Sequence, residues 1–189
     1  KSKDKDAYIV CGKASATVTN IIAHVGKLSE YKNVFISPEQ AEEMVNQETL
    51  LIIADTHKPS LVEVPEILGK AGQMMVIDHH RRSTEFIEGC SLVYHEPYAS
   101  STCEMVTEML QYFDSKLQLA REEAEALFSG ISMDTKGFTF KTGVRTFDAA
   151  SYLRKQGVDT VTVKQMFQYD LEQYARRTRI VQEAQIVHG

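Results

Sequence analysis

The segment QMMVIDHHRR (residues 73–82) runs four apolar residues straight into Asp78, His79 and His80, with Arg81 and Arg82 behind them. A run of Met, Val and Ile with no alternation suits a strand covered on both faces, as in a parallel sheet packed between helices. Working outward, AYIVCG (7–12), NVFIS (33–37) and TLLIIAD (49–55) read as further strands of the same kind. Between them lie helix-like stretches: SATVTNIIAHVGKLSEY (15–31) and SPEQAEEMVNQ, where Ser37 is a ready N-cap and Pro38 stands at the first helical position. SLVEVPEILGKAG carries the crossover to 73–78, with Pro65 delaying or restarting its helix. Strand and helix in alternation predict an α/β fold, mainly a parallel sheet flanked by helices.

From about residue 100 the pattern becomes helical, through SSTCEMVTEMLQYF, REEAEALFSGISMDT, RTFDAASYLRKQG and VTVKQMFQYDLEQYARRTRIVQEAQ. Ser101 and Glu104 form an S-x-x-E capping box at the first of these. No internal repeat, low-complexity segment or Pro/Gly/Ser-rich linker divides the 189 residues, so a single domain with a helical C-terminal half is expected.

In an open parallel sheet, ligands bind where the loops leave the carboxyl ends of the strands. Asp55 ends one strand and Asp78 another, so both carboxylates are expected at one edge, with His57 two residues after Asp55 and His79 and His80 directly after Asp78. Carboxylate with imidazole suits Mn, Fe or Zn better than Ca, which prefers an all-oxygen shell. Asp134 closes ALFSGISMDTKGF, where Ser129, Gly130 and Ser132 would let a helix press against the sheet and turn that carboxylate inward. Each feature alone has an ordinary explanation: a strand-end Asp caps turns, adjacent imidazoles sit in solvent, and paired arginines cover surfaces. The combination carries the metal reading, with Arg81 and Arg82 placed to hold phosphate oxygens. Ser100 and Ser101, with the helix N-terminus they precede, and Arg145 in TGVRTFD are further candidates for substrate contact.

Composition narrows the partners. Lys plus Arg number 21 against 26 Asp plus Glu, a formal charge of −5, which supplies no basic track for long nucleic acid and no attraction to anionic lipid. Cys11, Cys90 and Cys103 are odd in number and form no CxxC pair, pointing to a reducing cytoplasm rather than a disulfide scaffold.

IIADTH, VIDHHRR and SGISMDTKGF, in this order and at this spacing, resemble the second, third and fourth motifs of the DHH phosphoesterases. ADTHKPSLVE, VIDHHRRSTEFI, YHEPYASSTCEMVTEML and TGVRTFDAASYLRKQGVDT are similar, over residues 34–185, to the GdpP-type cyclic di-AMP phosphodiesterases of Gram-positive bacteria. The resemblance implies a two-metal site, usually manganese with iron as the alternative, that hydrolyses a phosphodiester bond with activated water. It makes Asp55 a carboxylate bridging two ions and His79 and Asp134 ligands of one of them. Asp78 would orient an imidazole, and His80 would touch the scissile phosphate. The family's first motif, a His-x-x-x-Asp-x-Asp pattern with three ligands, would stand ahead of the strand at 7–12, and its glycine-rich substrate-binding domain would follow residue 189. The chain therefore reads as a trimmed DHH-type core with part of its metal shell. The resemblance places it on the cytoplasmic side of a membrane-anchored parent, itself making no membrane contact. Substrate classes left open are a cyclic dinucleotide, a short oligonucleotide or pyrophosphate; a non-enzymatic nucleotide-binding module and a homodimer also stay open.

Overall fold

A computed structural model describes residues 6–113, 116–168 and 171–183. β3 (Leu50–Ala54), β4 (Gln73–Asp78) and β5 (Leu92–His95) form a parallel sheet in that order, while β1 (Ile9–Val10) and β2 (Phe35–Ile36) pair in parallel as a separate ladder. The expected α/β architecture is present, with the strands divided between two sheets. β5 lacks any counterpart among the predicted strands, because LVYH is short and both Leu92 and Val93 are exposed at the sheet edge. β4, at the centre, feeds both faces. Val76 packs with Ile53 and Ile87 on one side, and Ile77 with Ala99 and Met105 on the other, as its unbroken apolar run requires.

Local chemistry sets the helix ends. α1 (Ala16–Val25) is capped by the Ser15 hydroxyl, which accepts from Val18 N, and it stops at Gly26, six residues short of the predicted end at Tyr31. Only a short 3-10 turn, Ser29–Tyr31, follows. α2 (Pro38–Met44) begins as expected. Ser37 Oγ accepts from Gln40 N and Gln40 Oε1 accepts from Ser37 N, a reciprocal box with Pro38 at the first helical position. The β3–β4 crossover holds two 3-10 turns, Pro59–Leu61 and Pro65–Ile67, in place of an α-helix. Each proline starts a turn but offers no N–H, and Pro65 keeps Val64 out of the helical region.

The C-terminal half contains α3 (Thr102–Phe113), α4 (Arg121–Asp134), α5 (Val144–Lys155), α6 (Thr160–Met166) and α7 (Leu171–Glu183). The long helix predicted from Val161 onward is two helices, the first capped by Asp159 and ending at Phe167. Ala124, Phe128, Ile131, Ala149, Leu153 and Val163 form the core between α4, α5 and α6. Buried Glu125 ties three elements together, accepting from Arg121 Nε and Asp159 N and bonding His24 Nε2 of α1.

The small residues of α4 serve a different neighbour from the one expected. α4 packs on α3, α5, α6 and α1 rather than on the sheet, and a Cβ at Gly130 would lie 2.2 Å from Cys103 Sγ of α3. Gly130→Ala is expected to destabilise the fold by about 1–3 kcal/mol despite alanine's better helix propensity. Urea denaturation measures the loss. Adding Cys103→Ala, which removes the obstructing sulfur, recovers most of it.

Candidate active site

The β3–β4 register pairs Ala54 with Ile77, so both strands end at the same level and deliver Asp55 and Asp78–His80 to one edge. Asp55 turns there with φ 67° while its N–H donates to Ile77 O at 2.9 Å. Asp is among the few side chains that accept this left-handed backbone. The turn directs the carboxylate toward α3, where Thr102 Oγ1 donates to Asp55 Oδ1 at 2.9 Å.

His79 is buried, and its Nδ1–H donates to the carbonyl of Ala99 at 3.3 Å. That bond leaves the Nε2 lone pair facing outward, 3.4 Å from Asp55 Oδ1 and 3.6 Å from Asp134 Oδ2. Two ligands about 2.1 Å from a shared ion stand about 3.0–3.4 Å apart, so His79 lies near ligand spacing from each carboxylate. Asp134, the last residue of α4, is exposed, with its Oδ2 directed toward His79. The segment behind it is folded tightly on buried Thr135, whose Oγ1 donates to Ile131 O and accepts from Phe138 N, and Lys136, Phe138 and Lys141 all take positive φ. Such backbone is retained where the surroundings over-determine it.

The electrostatics match a cation site. Burial, which alone would raise the Asp55 pKa, is outweighed by His79, which donates through Nε2 when its ring takes a second proton, and by Thr102, and the carboxyl is held below its usual range. Asp134 is pushed up, by burial first and then by the charge of Asp55 facing it. The Asp55 bond raises His79 against the opposing effect of its burial. Two facing carboxylates and an imidazole lone pair form a donor set that a divalent ion satisfies and protons satisfy poorly.

Asp78 is fully buried and looks the other way. Its Oδ2 bonds His57 Nδ1, and its Oδ1 accepts from His80 N at 3.2 Å and bonds His80 Nδ1 at 2.8 Å. Burial works to raise its pKa, but the bonds from His57 and His80 hold it below the usual value. The His80 ring is half exposed, 4.5 Å from that of His79, and close enough to Asp55 and His79 for the three to share an ion. His57 and His95 stand on the other side of Asp78 as a second group with metal-ligand spacing.

The remaining predicted residues scatter. Arg81 and Arg82 are exposed, and the Arg82 guanidinium lies 5.0 Å over the Phe86 ring, beside a cavity of about 410 Å³ that His57 and His95 also line. Ser100 and Ser101 face inward. Ser100 gives both its hydroxyl and its N–H to Glu104 Oε2, and Ser101 Oγ accepts from Glu104 N at 3.0 Å. Only half of the predicted capping box forms, since the Glu104 carboxylate reaches back to Ser100 and across to Thr146 Oγ1 instead of to Ser101 N. Arg145 is clasped by Glu108, 2.7 and 2.6 Å from its two oxygens, with Glu96 3.8 Å away; the fork faces a cavity of about 720 Å³ lined by Tyr94, Tyr112 and Tyr152. In this conformation these three residues offer their polar groups to the protein. Thr102, Glu104 and the Ala99 carbonyl are the contributors that motif reading passed over. Their signal in SSTCE was a helix start aimed at a strand edge.

The profile of the DHH family, N-terminal domain, matches residues 6–131. The chain belongs to the DHH family. Among curated DHH relatives, the "Cyclic-di-AMP phosphodiesterase GdpP" of Bacillus subtilis (strain 168) is 46% identical over 184 residues, covering 96% of this chain and 28% of the relative. The "Cyclic-di-AMP phosphodiesterase PdeA" of Listeria monocytogenes serotype 1/2a (strain 10403S) is 45% identical over 190 residues, 98% of this chain and 28% of the relative. The chain thus spans under a third of the length of these DHH relatives. An exopolyphosphatase-related protein from Bacteroides fragilis, 18% identical, superposes with a TM-score of 0.80 over 98% of this chain and 54% of its own, a likeness of fold. Among the described residues no helix is long and apolar enough to cross a membrane.

Proposed function

We propose that this chain is the metal-binding portion of a manganese-dependent phosphodiesterase that opens cyclic di-AMP to the linear dinucleotide. The observation that carries the reading is the meeting of Asp55, His79 and Asp134 at the strand edge, with His79 Nε2 within 3.6 Å of both carboxylates. The names of the relatives at 45–46% identity support the substrate. Asp55, His79 and Asp134 would hold manganese, with iron the alternative, in a site completed by residues beyond this set. A bound pair of such ions acidifies water and neutralises charge on the phosphoryl oxygens. Thr102 fixes the Asp55 carboxylate, and the Ala99 carbonyl fixes the tautomer of His79. His80, held through Nδ1 by Asp78, presents the rest of its ring to the scissile phosphate. Arg81 and Arg82 would add positive charge to an otherwise acidic molecule, favouring a compact anionic substrate over a long strand. Ser100, Ser101 and Arg145 would join the substrate only by exchanging their present partners.

The test is hydrolysis with manganese by this chain, alone and carrying a His-x-x-x-Asp-x-Asp segment ahead of residue 1. Cyclic di-AMP, pyrophosphate and a short oligonucleotide are offered in parallel. Linear dinucleotide should form fastest of the three products, at least in the extended protein. Preferential turnover of pyrophosphate or the oligonucleotide overturns the substrate assignment, and absence of all three activities overturns the enzymatic reading.

A further inference from the structure

His57 is buried beside the metal-binding group, yet both of its ring nitrogens are engaged by the protein. The N–H of Ser83 donates to His57 Nε2 at 3.1 Å. A nitrogen that accepts from a backbone N–H carries a lone pair, so the ring proton sits on Nδ1 and points at Asp78 Oδ2. The other oxygen of Asp78 is filled by His80, through its backbone N–H and its Nδ1. On the far side, the His95 ring packs edge-on against His57 with centroids 5.1 Å apart, and His95 Nε2 donates to His80 O at 2.6 Å. His80 is therefore gripped at its N–H, its carbonyl and its Nδ1, and Nε2 is the ring atom left for other chemistry. The bonds converge on Asp78: the loop N–H donates to His57, and His57 and His80 each donate to one oxygen of the carboxylate.

We infer that His57 is a positioning residue that pins Asp78 so that His80 is held as the Nδ1–H tautomer with Nε2 toward the substrate. The role of His80 rests on the function proposed above; the coupling of His57 to the His80 tautomer does not. Without a donor at Oδ2, a buried carboxylate loses one of its two anchors and turns to seek another. The bond to His80 Nδ1 then loses its fixed acceptor.

Two substitutions separate this role from simple anchoring of the loop. In His57→Asn the side-chain amide N–H stands where Nδ1 stood and can serve Asp78, but Ser83 N–H loses its acceptor. In His57→Gln the amide oxygen reaches toward the Nε2 position and can accept from Ser83, but Asp78 loses its donor. Long-range proton–nitrogen NMR on 15N-histidine-labelled, metal-free chain, at alkaline pH where the rings are neutral, reads the His80 tautomer directly. Wild type and His57→Asn should show the Nδ1–H form, and His57→Gln should shift to Nε2–H or a mixture. In the active extended protein, kcat of His57→Gln should fall about 10–100-fold with KM within a few-fold, the scale of losing a partner that orients a site group, while His57→Asn stays near wild type. An unchanged His80 tautomer in His57→Gln, or a greater loss in His57→Asn that follows its melting temperature, overturns the inference. If the tautomers respond as expected while wild type leaves cyclic di-AMP intact, the positioning role stands and the proposed function falls.

Discussion

On the function proposed above, replacing Asp55 by Asn is expected to lower manganese-dependent hydrolysis of cyclic di-AMP by at least about 100-fold, more than the usual loss for a partner outside the coordination shell. Asn is chosen for a conformational reason. Residue 55 turns at φ 67°, where Asn is tolerated almost as well as Asp and Ala is strained, so Asn keeps the backbone and removes the charge. Its amide oxygen can still accept from Thr102, while His79 loses the carboxylate 3.4 Å away. Calorimetric titration of manganese should show a matching fall in affinity, with the melting temperature of the metal-free chain changed little. The facing charge of Asp55 adds to burial in raising the Asp134 pKa in wild type, so removing it relieves a repulsion that offsets part of the lost bond from His79. A variant that hydrolyses substrate at the wild-type rate would remove Asp55 from the metal site altogether.

Glu104→Ala should cost about 3–5 kcal/mol of stability, the range of a broken buried polar network. One carboxyl oxygen of this fully buried side chain accepts from Ser100 N, Ser100 Oγ and Thr146 Oγ1, so truncation strands three donors at once and opens a cavity between α3 and α5. Glu104→Gln can put its amide oxygen in the same place and should lose about 1 kcal/mol. The effect reaches the site along the backbone. Ser100 lies between the Ala99 carbonyl that fixes His79 and the Thr102 hydroxyl that fixes Asp55. Glu104→Ala should therefore weaken manganese binding under conditions where the protein is still folded. Thermal melting with manganese titration on the same samples checks both, and equal affinity in wild type and Glu104→Ala would uncouple this network from the site.

The strand ends were legible in the sequence because they combine two signals, an unbroken apolar run and an abrupt change to ligand-bearing side chains, that few other structures produce. LLIIAD and MMVIDHH therefore place Asp55, Asp78 and His79 at one edge from the residue pattern alone. Asp134 stands beside His79, although the small residues of α4 that pointed to it pack on other helices rather than on the sheet. Thr102 and Glu104 were not legible, because S-x-x-E reads equally as a self-contained cap, and only the packing of α3 against β4 and α5 redirects its carboxylate. The choice of packing partner for Gly130 was hidden for a similar reason, since a small residue signals a close approach without naming what approaches. His57 was visible as a possible ligand but not as an internal donor, since the Ser83 N–H that donates to its Nε2 and fixes its tautomer comes from an irregular loop. β5 escaped because four residues with two exposed apolar side chains carry no periodicity.

The three-stranded sheet also has margins. β3 is one edge of it, with the side chains of Leu50 and Ile52 each 54% exposed, and β5 is the other, with Leu92 and Val93 about half exposed. Oily strands at both borders are open templates for another chain's backbone, so the same unbroken hydrophobicity that carries Asp55 and Asp78 to one edge makes the molecule adhesive along its flanks. A lysine at position 50, at the end of β3 remote from Asp55, is where the stickiness can be reduced without touching the chemistry.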